Sequence, residues 1–269
     1  MQRFNIIDSH CHIYPEKIAQ KATDSTDKFY GIHHSPFHGT TEELLKQSEE
    51  AGIKRMVVQS VATTEKQVSS INHFIADEVK KHPDKFIGFG TLHPDSSAPE
   101  EDVKELISLG LSGVKLHPDI QNFKIDDYRC LKIYELCEKY HLPVLMHTGD
   151  SRYDNSNPNR LLPVMEIYTD LIVIGAHFGG YSLWEEASEK LAGLPNLYVD
   201  TCSSFFALDK KTALKIIKRY GTDKVIFATD FPMWRQEDEL NYITSLGLSD
   251  EDLKKIFHDN IMKILNIQD

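Results

Sequence analysis

The residues best able to do chemistry stand in a recognisable pattern. His10 and His12 flank Cys11, Lys115 stands two before His117, and His147, His177 and Asp230 follow at long intervals. On a β-strand, residues two apart point to one side and lie roughly 6.6 Å apart along it, so two imidazoles can close on one metal ion. On a helix the same spacing makes them diverge. His10 and His12 therefore read as a strand-borne metal-binding pair, with Cys11 turned the other way against helices.

Those residues need elements to position them. Eight short apolar, β-rich runs are visible: 4–8, 55–61, 86–92, 113–116, 143–146, 171–176, 196–200 and 224–228. They begin about 31 residues apart on average, the size of one βα unit. Helical patterns lie between them. Thr40 with Glu43 predicts a capping box ahead of a helix that stops near Gly52. Pro99 opens a helix ending near Gly110, and Gly221 closes another over 209–220. Strands too apolar to face water on either side predict an α/β fold, a (β/α)8 TIM barrel with residues 1–269 as one domain. A doubly wound sheet is the alternative, but Asp8-Ser9-His10-Cys11-His12 is not its glycine-rich loop. In a parallel barrel the strand ends converge, and His10/His12, Lys115/His117, His147, His177 and Asp230 all sit at strand ends. The first connection, Ile13–Gly39, is expected as a long loop serving that face.

Composition narrows the function. Of 269 residues, 30 are Lys or Arg and 41 Asp or Glu, a formal charge of −11. That balance argues against nucleic acid as a partner, because phosphate-backbone binding needs a basic surface. No apolar run approaches the roughly 18 residues that span a bilayer, and no secretory leader is legible. The four cysteines form no C-x-x-C pair. A cytoplasmic enzyme acting on a small-molecule substrate is expected, with assembly into a homo-oligomer left open.

Three segments, Ile7-Asp8-Ser9-His10-Cys11-His12, Ala176-His177-Phe178-Gly179-Gly180 and Phe227-Ala228-Thr229-Asp230-Phe231-Pro232, resemble the amidohydrolase superfamily. More narrowly they resemble the amidohydrolase-2 group, with its aminocarboxymuconate-semialdehyde decarboxylase-like enzymes. The resemblance runs over nearly the whole chain. It implies a metal-dependent barrel with His10, His12, His147 and Asp230 as ligands of one ion and His177 as the catalytic histidine. Three imidazoles and a carboxylate suit Zn²⁺, with Mn²⁺, Fe²⁺ or Co²⁺ as other ions for such a set. Asp230 would also move the proton of a bound water, and His177 would polarise a carbonyl or protonate a leaving group.

Other residues keep two readings each. Lys115 is either the carboxylated bridge of a two-metal site, with His177 and His147 holding the second ion, or an ordinary lysine pairing with a substrate acid or Asp119. Arg152 either anchors a substrate carboxylate or pairs with Asp150 or Asp154. Trp234 walls the pocket or covers the rim, and His117 lines the pocket or caps backbone. His33, His34 and His38 form a metal cluster or a solvated lid. The expected reaction is hydrolysis of a small amide, lactone or related C–N or C–O bond through a metal-activated water. The alternative is non-oxidative decarboxylation of an unsaturated or aromatic acid. A DNase of the TatD type is disfavoured, since such proteins carry glutamate where this chain has Lys115.

Overall fold

The computed structural model describes residues 4–31 and 35–267. In chain order it runs β1 (Ile7–His12), α1 (Glu16–Tyr30), α2 (Thr41–Ala51), β2 (Arg55–Gln59), α3 (Val68–Lys81), β3 (Phe86–Gly88), β4 (Gly90–Thr91) and α4 (Pro99–Ser108). It continues through β5 (Val114–Leu116), α5 (Pro118–Gln121), α6 (Tyr128–Lys139), β6 (Val144–Met146), α7 (Leu161–Ile167), β7 (Val173–Gly175) and α8 (Trp184–Leu191). The last elements are β8 (Leu197–Asp200), α9 (Lys210–Tyr220), β9 (Val225–Ile226), α10 (Gln236–Thr244), α11 (Asp250–Lys254) and α12 (Asn260–Leu265).

All strand pairing is parallel and in chain order, β1 to β3 and β4 to β9. The third strand of the sequence reading is one strand broken at Phe89, whose N–H turns to the Val58 carbonyl while Gly90 bonds to Gly113. The ring closes where Cys11 bridges to Phe231, Ser9 N–H bonds to the Phe227 carbonyl and Asp230 N–H to the His10 carbonyl. This is the (β/α)8 barrel.

Two apolar layers hold it. Outward strand residues such as Val58, Val114, Leu116, Val144 and Val199 pack on the helices. Ile7, Val57, Ile87, Leu145, Ile174 and Ile226 fill the lumen and meet Ile261 and Ile264 of α12. That layer plugs the N-terminal end, so polar lumen residues gather only at the other mouth.

Two features differ from the sequence reading. First, Ile13–Gly39 is not simply a loop, because α1 occupies most of it. Its pattern is sparse in apolar residues; the visible stop is Gly31, left-handed at φ 70°. Second, β1 carries a bulge. Asp8 pairs with Met56 and Cys11 with Val58, so three steps on β1 match two on β2. Ile7 faces the lumen, and the extra residue reverses the alternation, so Cys11 faces the helices and His10 and His12 face inward.

Asp8 holds the bulge. Fully buried, its carboxylate accepts from His10 N at 3.2 Å, Thr229 N at 3.0 Å, Thr229 Oγ1 at 2.5 Å and Gln236 Nε2 at 2.7 Å. Asp8→Ala leaves several buried donors unpaired and should cost about 2–4 kcal/mol, read from denaturant melts.

Candidate active site at the barrel mouth

The lumen-facing ends of β1 and the chain after β9 bring three donors together. His10 Nε2 lies 3.1 Å from His12 Nε2 and 3.3 Å from Asp230 Oδ1, and His12 Nε2 lies 3.6 Å from the same oxygen. Tetrahedral ligands at about 2.1 Å from an ion stand about 3.4 Å apart, and octahedral neighbours about 3.0 Å. The trio therefore has the edge lengths of a divalent-metal site. Neutral imidazoles and a carboxylate so arranged offer a divalent cation three converging donors.

Electrostatics suit the same role. Burial, and next the Lys115 charge, lowers His10 well below the usual histidine value and His12 to about 4. Both are neutral ligands at pH 7. Burial pushes the Asp230 carboxyl up, but the imidazoles of His10, His177 and His12 and the Ser203 hydroxyl outweigh it, leaving it at about 2. Ser203 donates to Asp230 Oδ2 at 2.6 Å and receives the Trp234 indole N–H at 2.8 Å.

Asp200, at the end of β8, is a residue the sequence reading did not single out. Its Oδ2 takes the His10 Nδ1 proton at 2.8 Å, which leaves the His10 Nε2 lone pair for the trio. Its Oδ1 accepts from the His177 backbone N–H at 2.8 Å and from the buried Cys202 thiol at 3.0 Å. The available signal was another ionisable group at a strand end. His177 at φ 60°, Ser203 at φ 47° and Asp230 at φ 61° are all non-glycine residues in the left-handed region. Such strain collects where side chains must be aimed rather than merely packed.

The remaining predicted residues fall as follows. His147 is buried, but it is not within the 4.8 Å mutual reach that gathers His10, His12 and Asp230. Its Nδ1 stands 2.9 Å from His177 Nε2, and its Nε2 is an unpartnered buried atom 3.6 Å from Asp119 Oδ2. His117, Asp119 and His147 also cluster, yet the two imidazoles stack at 3.9 Å and 7°. Their in-plane lone pairs run in parallel planes and do not meet at one ion. His117 both lines the mouth and caps α5, accepting from Ile120 N at 3.3 Å.

Lys115 is 1% exposed, aligned in register with Leu145, and its Nζ lies 3.0 Å from His10 Nε2. Its side-chain partner is thus His10; Asp119 is held by Ser156. Arg152 requires a correction. Its Nε and Nη2 fork onto Asp150 at 2.9 and 2.7 Å and its Nη1 donates to the Phe29 carbonyl at 2.8 Å, so the guanidinium clasps α1 and is not free for a substrate acid. Trp234 does wall the cavity and stacks on Phe206 at 4.9 Å. His38 gives its backbone to Thr23 and Glu43, while His33 and His34 lie outside the described residues.

Above these groups lies a cavity of about 750 Å³, roofed by α1 and walled by Phe74, Tyr181 and Trp234. A parallel barrel with a His-x-His strand, a buried histidine–carboxylate mouth and a roofed cavity defines a barrel enzyme of the amidohydrolase superfamily. The chain belongs to the amidohydrolase-2 family, whose model, described as Amidohydrolase, matches residues 7–267. A 2-amino-3-carboxymuconate-6-semialdehyde decarboxylase of Dictyostelium discoideum is 30% identical over 117 residues, 41% of this chain and 32% of that relative. The chain thus spans about a third of that relative's length. A gamma-resorcylate decarboxylase of Polaromonas sp. (strain JS666 / ATCC BAA-500) is 22% identical over 84% of this chain and 87% of its own. A dihydroxybenzoic acid decarboxylase from Polaromonas sp. JS666, solved with bound manganese and 2-nitroresorcinol, superposes with a TM-score of 0.74 at 17% identity, covering 98% and 97% of the two chains. Among the described residues no helix is long and apolar enough to cross a membrane.

Asp200→Asn keeps the shape of the side chain and weakens its acceptance of the His10 proton. It should lower divalent-metal affinity about 10–100-fold in a chelator competition titration, with the fold retained by circular dichroism.

Proposed function

We propose that this protein is a divalent-metal-dependent carboxy-lyase that removes CO₂, without oxidation, from an unsaturated or aromatic acid. The observation that carries the reading is that both curated relatives named above are decarboxylases. The hydrolysis expected from the strand-end residues alone takes second place, because those residues serve either reaction. In this proposal His10, His12 and Asp230 hold the ion, and His147, outside their mutual reach in the structure, would join them only by turning toward it. Zn²⁺ and Mn²⁺ both suit such donors; the bound manganese of the similar Polaromonas structure adds weight to the second.

When bound, the ion supplies Lewis acidity and a fixed positive charge for the substrate's oxygens. The chain supplies the rest. Phe74, Tyr181 and Trp234 flank a planar acid and keep water from the reacting carbon, and His117 borders the same space. As the bond to the carboxylate breaks, its electron pair stays on the ring or vinyl carbon, and a proton must arrive there. His177 is positioned for that delivery. Its Nδ1–H donates to the Cys202 carbonyl at 3.2 Å, which fixes the ring and leaves Nε2, beside His147, to take up a proton from solvent before each turnover and pass it to the carbon. Asp230 holds the ion and shares the return of the proton.

The experiment is product analysis in labelled water. Turnover of a panel of hydroxybenzoates and unsaturated dicarboxylic semialdehydes in D₂O should release CO₂ and place one deuterium on the vacated carbon. Solvent ¹⁸O in the organic product instead would overturn the lyase reading in favour of hydrolysis. His177→Asn should keep the metal content and lower kcat by at least about 10²-fold. His12→Ala should lose the metal as well, measured by elemental analysis.

A further inference from the structure

Helix α1 contributes one residue that neither the strand-end pattern nor the metal trio accounts for. Tyr30, in its last turn, reaches over the mouth and puts its hydroxyl 2.8 Å from His117 Nε2 and 3.5 Å from His147 Nδ1. The direction of these contacts follows from His117. Ile120 N–H donates to His117 Nδ1, so the proton of the neutral ring sits on Nε2 and is given to the Tyr30 oxygen. The Tyr30 proton is then left to donate elsewhere. At 3.5 Å, His147 Nδ1 is too far to use it well, and that nitrogen faces His177 at 2.9 Å.

Two other donors at the mouth are already engaged. The Ser203 hydroxyl goes to Asp230 and the Trp234 N–H to Ser203. The Arg152 guanidinium lies behind α1, 5.6 Å from the Tyr30 ring, with its fork on Asp150. Arg152 also holds the Phe29 carbonyl, one residue before Tyr30, which sets where Tyr30 stands. Tyr30 lines the same cavity as the trio and His177.

We propose that Tyr30 is the residue through which α1 binds substrate, its hydroxyl donating a hydrogen bond to a carboxylate oxygen of the acid held at the mouth. The assignment rests on the acid-substrate reading above. It gives α1 a chemical task beyond covering the cavity, and it moves recognition of the acid from Arg152 to a neutral donor polarised by His117.

The test uses benzoate as the probe, with benzyl alcohol as a neutral compound of similar size, titrated calorimetrically into the manganese-loaded protein. Tyr30→Phe keeps the ring contacts with Phe29 and Tyr181 and removes only the donor. It should weaken benzoate about tenfold, the loss of one hydrogen bond to a charged group, while leaving benzyl alcohol affinity, metal content and melting temperature unchanged. Benzoate binding equal in wild type and Tyr30→Phe overturns the Tyr30 assignment and leaves the carboxy-lyase reading standing. A parallel loss of both ligands also overturns it, since that marks a role in shaping the cavity. Wild-type protein that binds no benzoate overturns the acid reading, and the assignment with it.

Discussion

The site depends on one irregularity in a single strand. A regular β1 with Ile7 facing the lumen would point Ser9 and Cys11 inward and turn both histidines into the helix layer. The extra residue between Asp8 and Cys11 reverses that parity. A bulge leaves backbone groups without ladder partners, and here a buried carboxylate takes them up. Asp8 ties the His10 backbone to Thr229 and Gln236, so the strand carrying two donors is fastened to the segment carrying the third. Seam closure and the trio's geometry are therefore one construction.

Charge follows the same economy. The mouth concentrates buried imidazoles around few anions, and the low-dielectric surroundings keep those rings neutral. Asp230 carries the fixed negative charge of the trio, with the Ser203 hydroxyl donating to it at 2.6 Å. Asp200 serves a different purpose beneath the trio, holding the His10 ring in one tautomer and fixing the backbone at His177. Lys115, buried against His10, contributes the positive charge that further disfavours protonated histidines there. Neutral donors around a fixed carboxylate favour a cation against the opposing charge of Lys115, and a cation at that point favours an acidic substrate.

Much of this was legible in the chain. Thr40 and Glu43 cap α2 reciprocally, and Gly52 ends it in the left-handed region, because these signals involve neighbours three or four residues apart. The strand-end residues were likewise visible, since a parallel barrel sends all such ends to one rim. What misled was a choice between partners. Arg152 reads equally well as a substrate anchor or a surface ion pair, and only the position of Asp150 and the Phe29 carbonyl decides between them. The helix α1 is hard to see in the sequence because few of its residues are apolar; Ala19 and Thr23 are its buried positions, and Thr23 donates to the His38 carbonyl.

The amino-acid order by itself determined the alternation of strands and helices, their caps and stops, and the family to which the pattern belongs. Each of these depends on short-range periodicity or on residue types at set spacings. The folded structure alone decided that His10 and His12 face inward, that Asp200 grips His10 across 190 residues and that Tyr30 meets His117 across 87. Those outcomes depend on which of several equally suitable partners the closed barrel holds within about 3 Å, and barrel closure rather than local preference sets that distance.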